Sequence, residues 1–123
     1  MGHNFLIIKG EFMSNMTVYL DTHHAKVYKM GLDKHTPVAL KDEGHEKKHF
    51  YHKLAEKLHA ANEVFVLGAH QVVAEFKHYC SEHDKVMNQK LVGTETLHSH
   101  ATDHEVWEQG HKFFLKRAGE LPL

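Results

Sequence analysis

The sequence predicts an α/β fold: a five-stranded mixed sheet of order 3-2-1-4-5 with helices on both faces. Two observations carry this. Between Val64 and Phe114 the apolar pattern switches twice from a β-type run to helical spacing, as parallel βαβα units require. Ahead of that segment, β-rich stretches follow one another closely and read as an antiparallel meander. A meander continued by two right-handed crossovers leaves strands 1, 4 and 5 parallel.

Each element has its own signal. Thr17-Val18-Tyr19-Leu20-Asp21 is rich in β-branched and aromatic residues and forms the first strand. Asp21-Thr22-His23-His24 is a tight connection to a second strand, Ala25 to Met30, so the pair is a hairpin. Gly31-Leu32-Asp33-Lys34-His35 turns the chain, and Pro37 to Lys41 is a short third strand with Pro37 at its start or on an edge. A helix is expected from Glu43 to Ala61, its apolar stripe made by Phe50, Leu54, Leu58 and Ala61. Val64-Phe65-Val66-Leu67, closed by Gly68, is the fourth strand. Val72, Val73, Phe76 and Tyr79 then recur helically between Gln71 and Glu82. Leu91 to Thr96 is the fifth strand. Thr102-Asp103-His104-Glu105 is a capping box that opens the last helix, which runs to about Ala118 before Gly119 and Pro122. By element order this is a ribonuclease H-like topology.

Residues 1–13 stand apart. Met13-Ser14-Asn15-Met16 would serve as a start, so 1–13 reads as an N-terminal extension, upstream-encoded or introduced by cloning, with an extra edge strand as the alternative. Residues 14–123 form a single domain.

Composition excludes several classes. Hydrophobic content of 41% and charge of 25% are ordinary for a globular chain, and a net charge of -1 gives no global basic field for nucleic acid. Nothing points to sequence-specific DNA recognition. The lone Cys80 excludes an internal disulfide and suits a reducing, cytoplasmic setting. No apolar stretch approaches a membrane span, and Phe5-Leu6-Ile7-Ile8 is too short for a signal peptide.

The unusual count is 15 histidines. Parallel strands 1, 4 and 5 would bring three tails to one edge: Asp21, His23 and His24; His70; and His98 and His100, followed by Asp103 and His104 on the last helix. The candidate metal ligands are therefore His23, His24, His70, His98, His100 and Asp103. Asp21, Lys77 and His104 are candidate anion or phosphate contacts. Imidazole with carboxylate suits a divalent transition metal, zinc or manganese, and helix N-termini attract anions, although no cofactor is required. Against this, so His-rich a chain places histidines near loop ends by chance, giving a solvated polar edge. There is no His-Glu-x-x-His and no Cys pair, and His98-x-His100-x-x-x-His104 is only suggestive. A second set, His45, His49, His52, Glu56 and His59, lies opposite the apolar stripe of the first helix and reads as its outer face.

Phosphodiester cleavage by two metals needs clustered carboxylates. Asp21, Glu46 or Glu56, and Asp103 are available, but the fourth strand ends in Gly68-Ala69-His70 and Glu95 lies on the fifth strand instead. The set is incomplete. No Gly-x-Ser-x-Gly elbow or phosphate-cradling Gly-rich loop occurs. Cys80, Trp107, Phe113 and Phe114 read as core. Lys47, Lys48, Lys53, Lys57, Lys112, Lys116 and Arg117 read as solvated helix faces, with a modest RNA-binding role as the alternative.

The run Val66-Leu67-Gly68-Ala69-His70-Gln71-Val72-Val73-Ala74-Glu75-Phe76-Lys77-His78-Tyr79, the strand Leu91-Val92-Gly93-Thr94-Glu95-Thr96, and His100-Ala101-Thr102-Asp103 together resemble one family. It comprises small bacterial and archaeal relatives of the central domain of eukaryotic-type peptide release factors and Pelota, the translational machinery proteins. Val18-Tyr19-Leu20-Asp21 and Ala25-Lys26-Val27-Tyr28 also look like its first hairpin, so the resemblance covers roughly Thr17 to Lys116. It implies a cytoplasmic, ribosome- or RNA-associated domain. The Gly-Pro-Gly and Lys often found after the fourth strand in that family are replaced here by Gly68-Ala69-His70-Gln71-Val72-Val73. No Gly-Gly-Gln loop, which hydrolyses peptidyl-tRNA in release factors, occurs anywhere. The resulting expectation is a non-catalytic translation-associated protein that binds the ribosome or structured RNA. The alternatives are a metal-dependent phosphodiester hydrolase at the His/Asp edge, and a small interaction module or homodimer with no chemistry.

Overall fold

The computed structural model describes residues 15–31, 36–44 and 46–119. The expected 1–13 extension, most of the 31–35 turn, His45 and Pro122 lie outside them. The described elements are β1 (Met16–Leu20), β2 (His24–Lys29), β3 (Val38–Lys41), α1 (Lys47–Leu58), β4 (Val64–Gly68), α2 (His70–His83), α3 (Lys85–Lys90), β5 (Leu91–Thr96) and α4 (Asp103–Arg117). The sheet order is β3-β2-β1-β4-β5, as the sequence predicts. β1 and β3 run antiparallel to β2, while β4 runs parallel to β1 and β5.

The strand pattern decides which side chains face which layer. Met16, Val18 and Leu20 of β1 join Ala25, Val27, Val64 and Val66 on one face, under α1, α2 and Met87 of α3. Tyr28, Phe65 and Leu67 face the other way and pack against Val106, Trp107 and Phe114 of α4. β4 is buried at every position, the pattern of a central strand covered on both faces. Phe50, Leu54 and Leu58 turn inward from α1 as their spacing requires, with Tyr51 and Ala55 beside them.

Two glycines set the closest approaches. A Cβ on Gly68 would stand 2.0 Å from the Leu20 carbonyl oxygen, so only glycine lets the β4 tip lie against β1. A Cβ on Gly110 would stand 2.1 Å from Thr17 Oγ1, so α4 crosses β1 at this residue.

The first helix differs from the sequence expectation at both ends, closing at Leu58 instead of Ala61, and one helix was not expected. α1 begins at Lys47 instead of Glu43, because Gly44 adopts φ 88° and donates its N–H to Asp42 Oδ1 at 3.1 Å, making a turn ahead of the helix. The short helix α3 had no counterpart in the sequence reading. Asp84 caps it by accepting the Met87 N–H at 3.0 Å, and Met87 is wholly buried.

Candidate functional site

Leu20, Gly68 and Thr96 stand side by side in register, so the tails of β1, β4 and β5 share one edge. Leu97 extends the ladder by donating to the Gly68 carbonyl at 3.0 Å. His23, His70 and His98 therefore lie along the same edge, where α2 and α4 also begin.

Their side chains take different partners. Asp21 Oδ1 accepts the His23 N–H at 3.1 Å, and the Asp21 N–H reaches the His24 carbonyl at 2.9 Å, so Asp21 builds the hairpin turn. The His23 ring lies 3.9 Å from Asp42 Oδ2, on the β3 side. Lys47 binds the same carboxylate at 3.2 Å and also donates to the Thr22 carbonyl. Desolvation alone would raise the Asp42 pKa. The Lys47 and Gly44 hydrogen bonds, with the nearby positive charge, outweigh it and hold the group below the usual carboxylate range. His24 is exposed at the start of β2, across from Lys41.

Asp103 accepts from Tyr28 Oη at 2.7 Å and from Lys26 Nζ at 3.1 Å. The Tyr28 bond, then the Lys26 bond, hold its pKa down. Burial, and then this carboxylate, push the Tyr28 phenol well above its ordinary value. Asp103 thus fastens the start of α4 onto β2.

His98 Nε2 lies 3.3 Å from Glu105 Oε2, and its backbone carbonyl accepts from Tyr19 Oη. Thr102 and Glu105 form the expected capping box, with bonds of 2.9 and 3.1 Å. The Thr102 N–H, then His98, lower the Glu105 pKa. His70, His100 and His104 are exposed, and Lys77 is exposed farther along α2. Among the described residues no three His, Cys, Asp or Glu side chains converge as a metal centre would. The edge therefore brings together the three strand tails that carry the histidines, while Asp42, Asp103 and Glu105 are each engaged with a neighbouring cation or donor.

On α1, His52 and Glu56 approach to 3.7 Å on the exposed face. His59 leaves that stripe and binds Asp84 Oδ2 at 2.8 Å, tying α1 to the cap of α3. Cys80 is buried, and desolvation, then the Asp84 charge, push its thiol up to about 12. Trp107 and Phe114 are buried, whereas Phe113 is only partly so. Sequence reasoning missed a groove of about 400 Å³ between β5 and α4, lined by Val92, Glu95, Gln109, Lys112, Phe113, Lys116 and Arg117. Its signal was present as Gln109, Lys112, Phe113 and Lys116 at helical spacing.

No family model and no curated protein matches the chain. Solved structures do. Pelota from Thermoplasma acidophilum is similar with a TM-score of 0.63 at 14% identity, over 94% of this chain and 37% of that one. Pelota from Archaeoglobus fulgidus is similar with a TM-score of 0.59 at 12% identity, over 97% of this chain and 40% of that one. An archaeal protein gives a TM-score of 0.53 at 12% identity, over 98% of this chain and 42% of that one. At these identities the likeness is one of fold, and the chain spans about two fifths of the length of each structure.

Proposed function

We propose that this chain is a cytoplasmic, non-catalytic, translation-associated domain that binds the ribosome or structured RNA. We also read its architecture as the ribonuclease H-like topology of the release-factor and Pelota central domain. The observation that carries the reading is the Pelota-like fold over 94% and 97% of the chain, together with the motifs from Val66 to Asp103 that resemble the same family. The non-catalytic part is supported by the missing Gly-Gly-Gln and by the carboxylates of the strand edge, which are occupied by Lys47, Tyr28, Lys26 and Thr102.

The exposed residues of that edge, His23, His24, His70, His98, His100 and Asp103, are our candidate contacts for an anion or for zinc or manganese. Asp21, His104 and Lys77 lie beside them as binding positions. The test is co-sedimentation with purified ribosomes at low salt, alongside a nuclease assay with zinc or manganese. Co-sedimentation without cleavage supports the reading. Absence from the ribosomal pellet, with metal-dependent cleavage abolished by His100→Ala, replaces it with a hydrolase.

A further inference from the structure

We infer that the groove between β5 and the last turns of α4 is a phosphate-contact site for single-stranded RNA, with Lys112 and Lys116 as its cations and Phe113 as its aromatic wall. The inference rests on the RNA-binding reading above, takes the contacted strand to be an unpaired segment of that RNA, and adds a phosphate contact apart from the histidine edge.

The first ground is where unengaged positive charge lies. At the strand edge Lys26 is bound to Asp103 and Lys47 to Asp42. Histidine in general carries only part of a charge at neutral pH, whereas lysine carries all of it. In the groove Lys112 and Lys116 are exposed and form no ion pair among the described residues. They are one helical turn apart, about 6 Å along the axis, a separation comparable to that of successive phosphates in an RNA strand. Arg117 is not available in the same way: its guanidinium makes two bonds of 2.9 Å to Glu63, which anchor the end of α4.

The second ground is the aromatic wall beside the lysines. The Phe113 ring stacks on Phe65 with centroids 4.0 Å apart and planes 4° from parallel. Gly93 makes room for it, since a Cβ there would stand 2.6 Å from Phe113 Cζ. The ring is thus held from beneath while part of it remains exposed in the groove, as a stacking surface for a base requires. Gln109 adds an amide one turn earlier, and Glu95 faces the groove from β5. Glu95 accepts hydrogen bonds, so it suits ribose hydroxyls better than the side chains of an acidic peptide. β5 is the edge strand on this side among the described residues.

The test is fluorescence anisotropy of the full chain with a labelled single-stranded RNA oligonucleotide across a salt series. The expected result is binding that weakens with salt. Lys112→Gln with Lys116→Gln should cost about tenfold in affinity and flatten the salt slope by about 1.4. Lys29→Gln with Lys85→Gln, exposed lysines outside the lining of the groove, should stay within about twofold. Lys112→Glu with Lys116→Glu, at unchanged thermal stability, should abolish binding. The inference is overturned if the Lys112 and Lys116 variants bind as the unmodified chain does, if Lys29→Gln with Lys85→Gln costs as much as they do, if poly-glutamate binds the groove and the RNA does not, or if the chain pellets with ribosomes but ignores the oligonucleotide. In that last case the ribosome reading survives; absence from the pellet is what removes it.

Discussion

Tyr28 and Asp103 lie 75 residues apart and meet at 2.7 Å, joining the second strand to the first turn of the last helix. Lys26 reaches the same carboxylate oxygen from one alternation earlier on β2. The contact sets where α4 begins its diagonal across the sheet, from β2 through Thr17 on β1 to Gly93 on β5.

Tyr28→Phe removes one hydrogen bond to a carboxylate and should lower stability by about 1 kcal/mol at pH 7, read from urea denaturation. The pH dependence has a definite sign. The folded-state pKa of Asp103 is depressed, so its contribution is complete above the ordinary carboxylate value and is lost as pH falls below that value and through the folded one. The difference between Tyr28→Phe and the unmodified chain should therefore shrink in strong acid and stay constant from mildly acidic to neutral pH.

Gly110→Ala should destabilise by about 2–3 kcal/mol, because the new methyl would sit 2.1 Å from Thr17 Oγ1 and 2.9 Å from Thr17 Cβ. Thr17→Ala in the same chain should recover part of the loss, giving a coupling measurable in a double-mutant cycle.

Thr17→Val alone should be neutral or stabilising by up to about 1 kcal/mol. The buried hydroxyl has no hydrogen-bond partner among the described residues, and valine keeps its shape without the polar atom. A fall in denaturation midpoint would contradict this.

Cys80 should resist thiol reagents in the folded chain at neutral pH and react on unfolding. Its thiol is buried and pushed up to about 12, leaving almost no thiolate. Quantitative labelling with and without denaturant reads the difference.

The sheet was legible because each strand carries a local signal. The Val64 to Leu67 run, the Thr17 to Asp21 stretch and the capping box at Thr102 each act within a few residues. The parallel arrangement then followed from connection rules, and with it the shared edge of His23, His70 and His98. Side-chain partners were not legible, because distant residues supply them. His23 meets Asp42, Asp103 meets Tyr28, and His59 meets Asp84. α3 has only six residues, too few for helical periodicity to register. Phe113 read as core by spacing, yet α4 carries it over Gly93 on the last strand, where it is only partly covered.

Association with ribosomes through phosphate contacts is read most directly by pelleting the chain with purified ribosomes over a graded salt series. The expected result is recovery in the ribosomal pellet at low salt and progressive release as salt rises. A chain left in the supernatant at the lowest salt would contradict it.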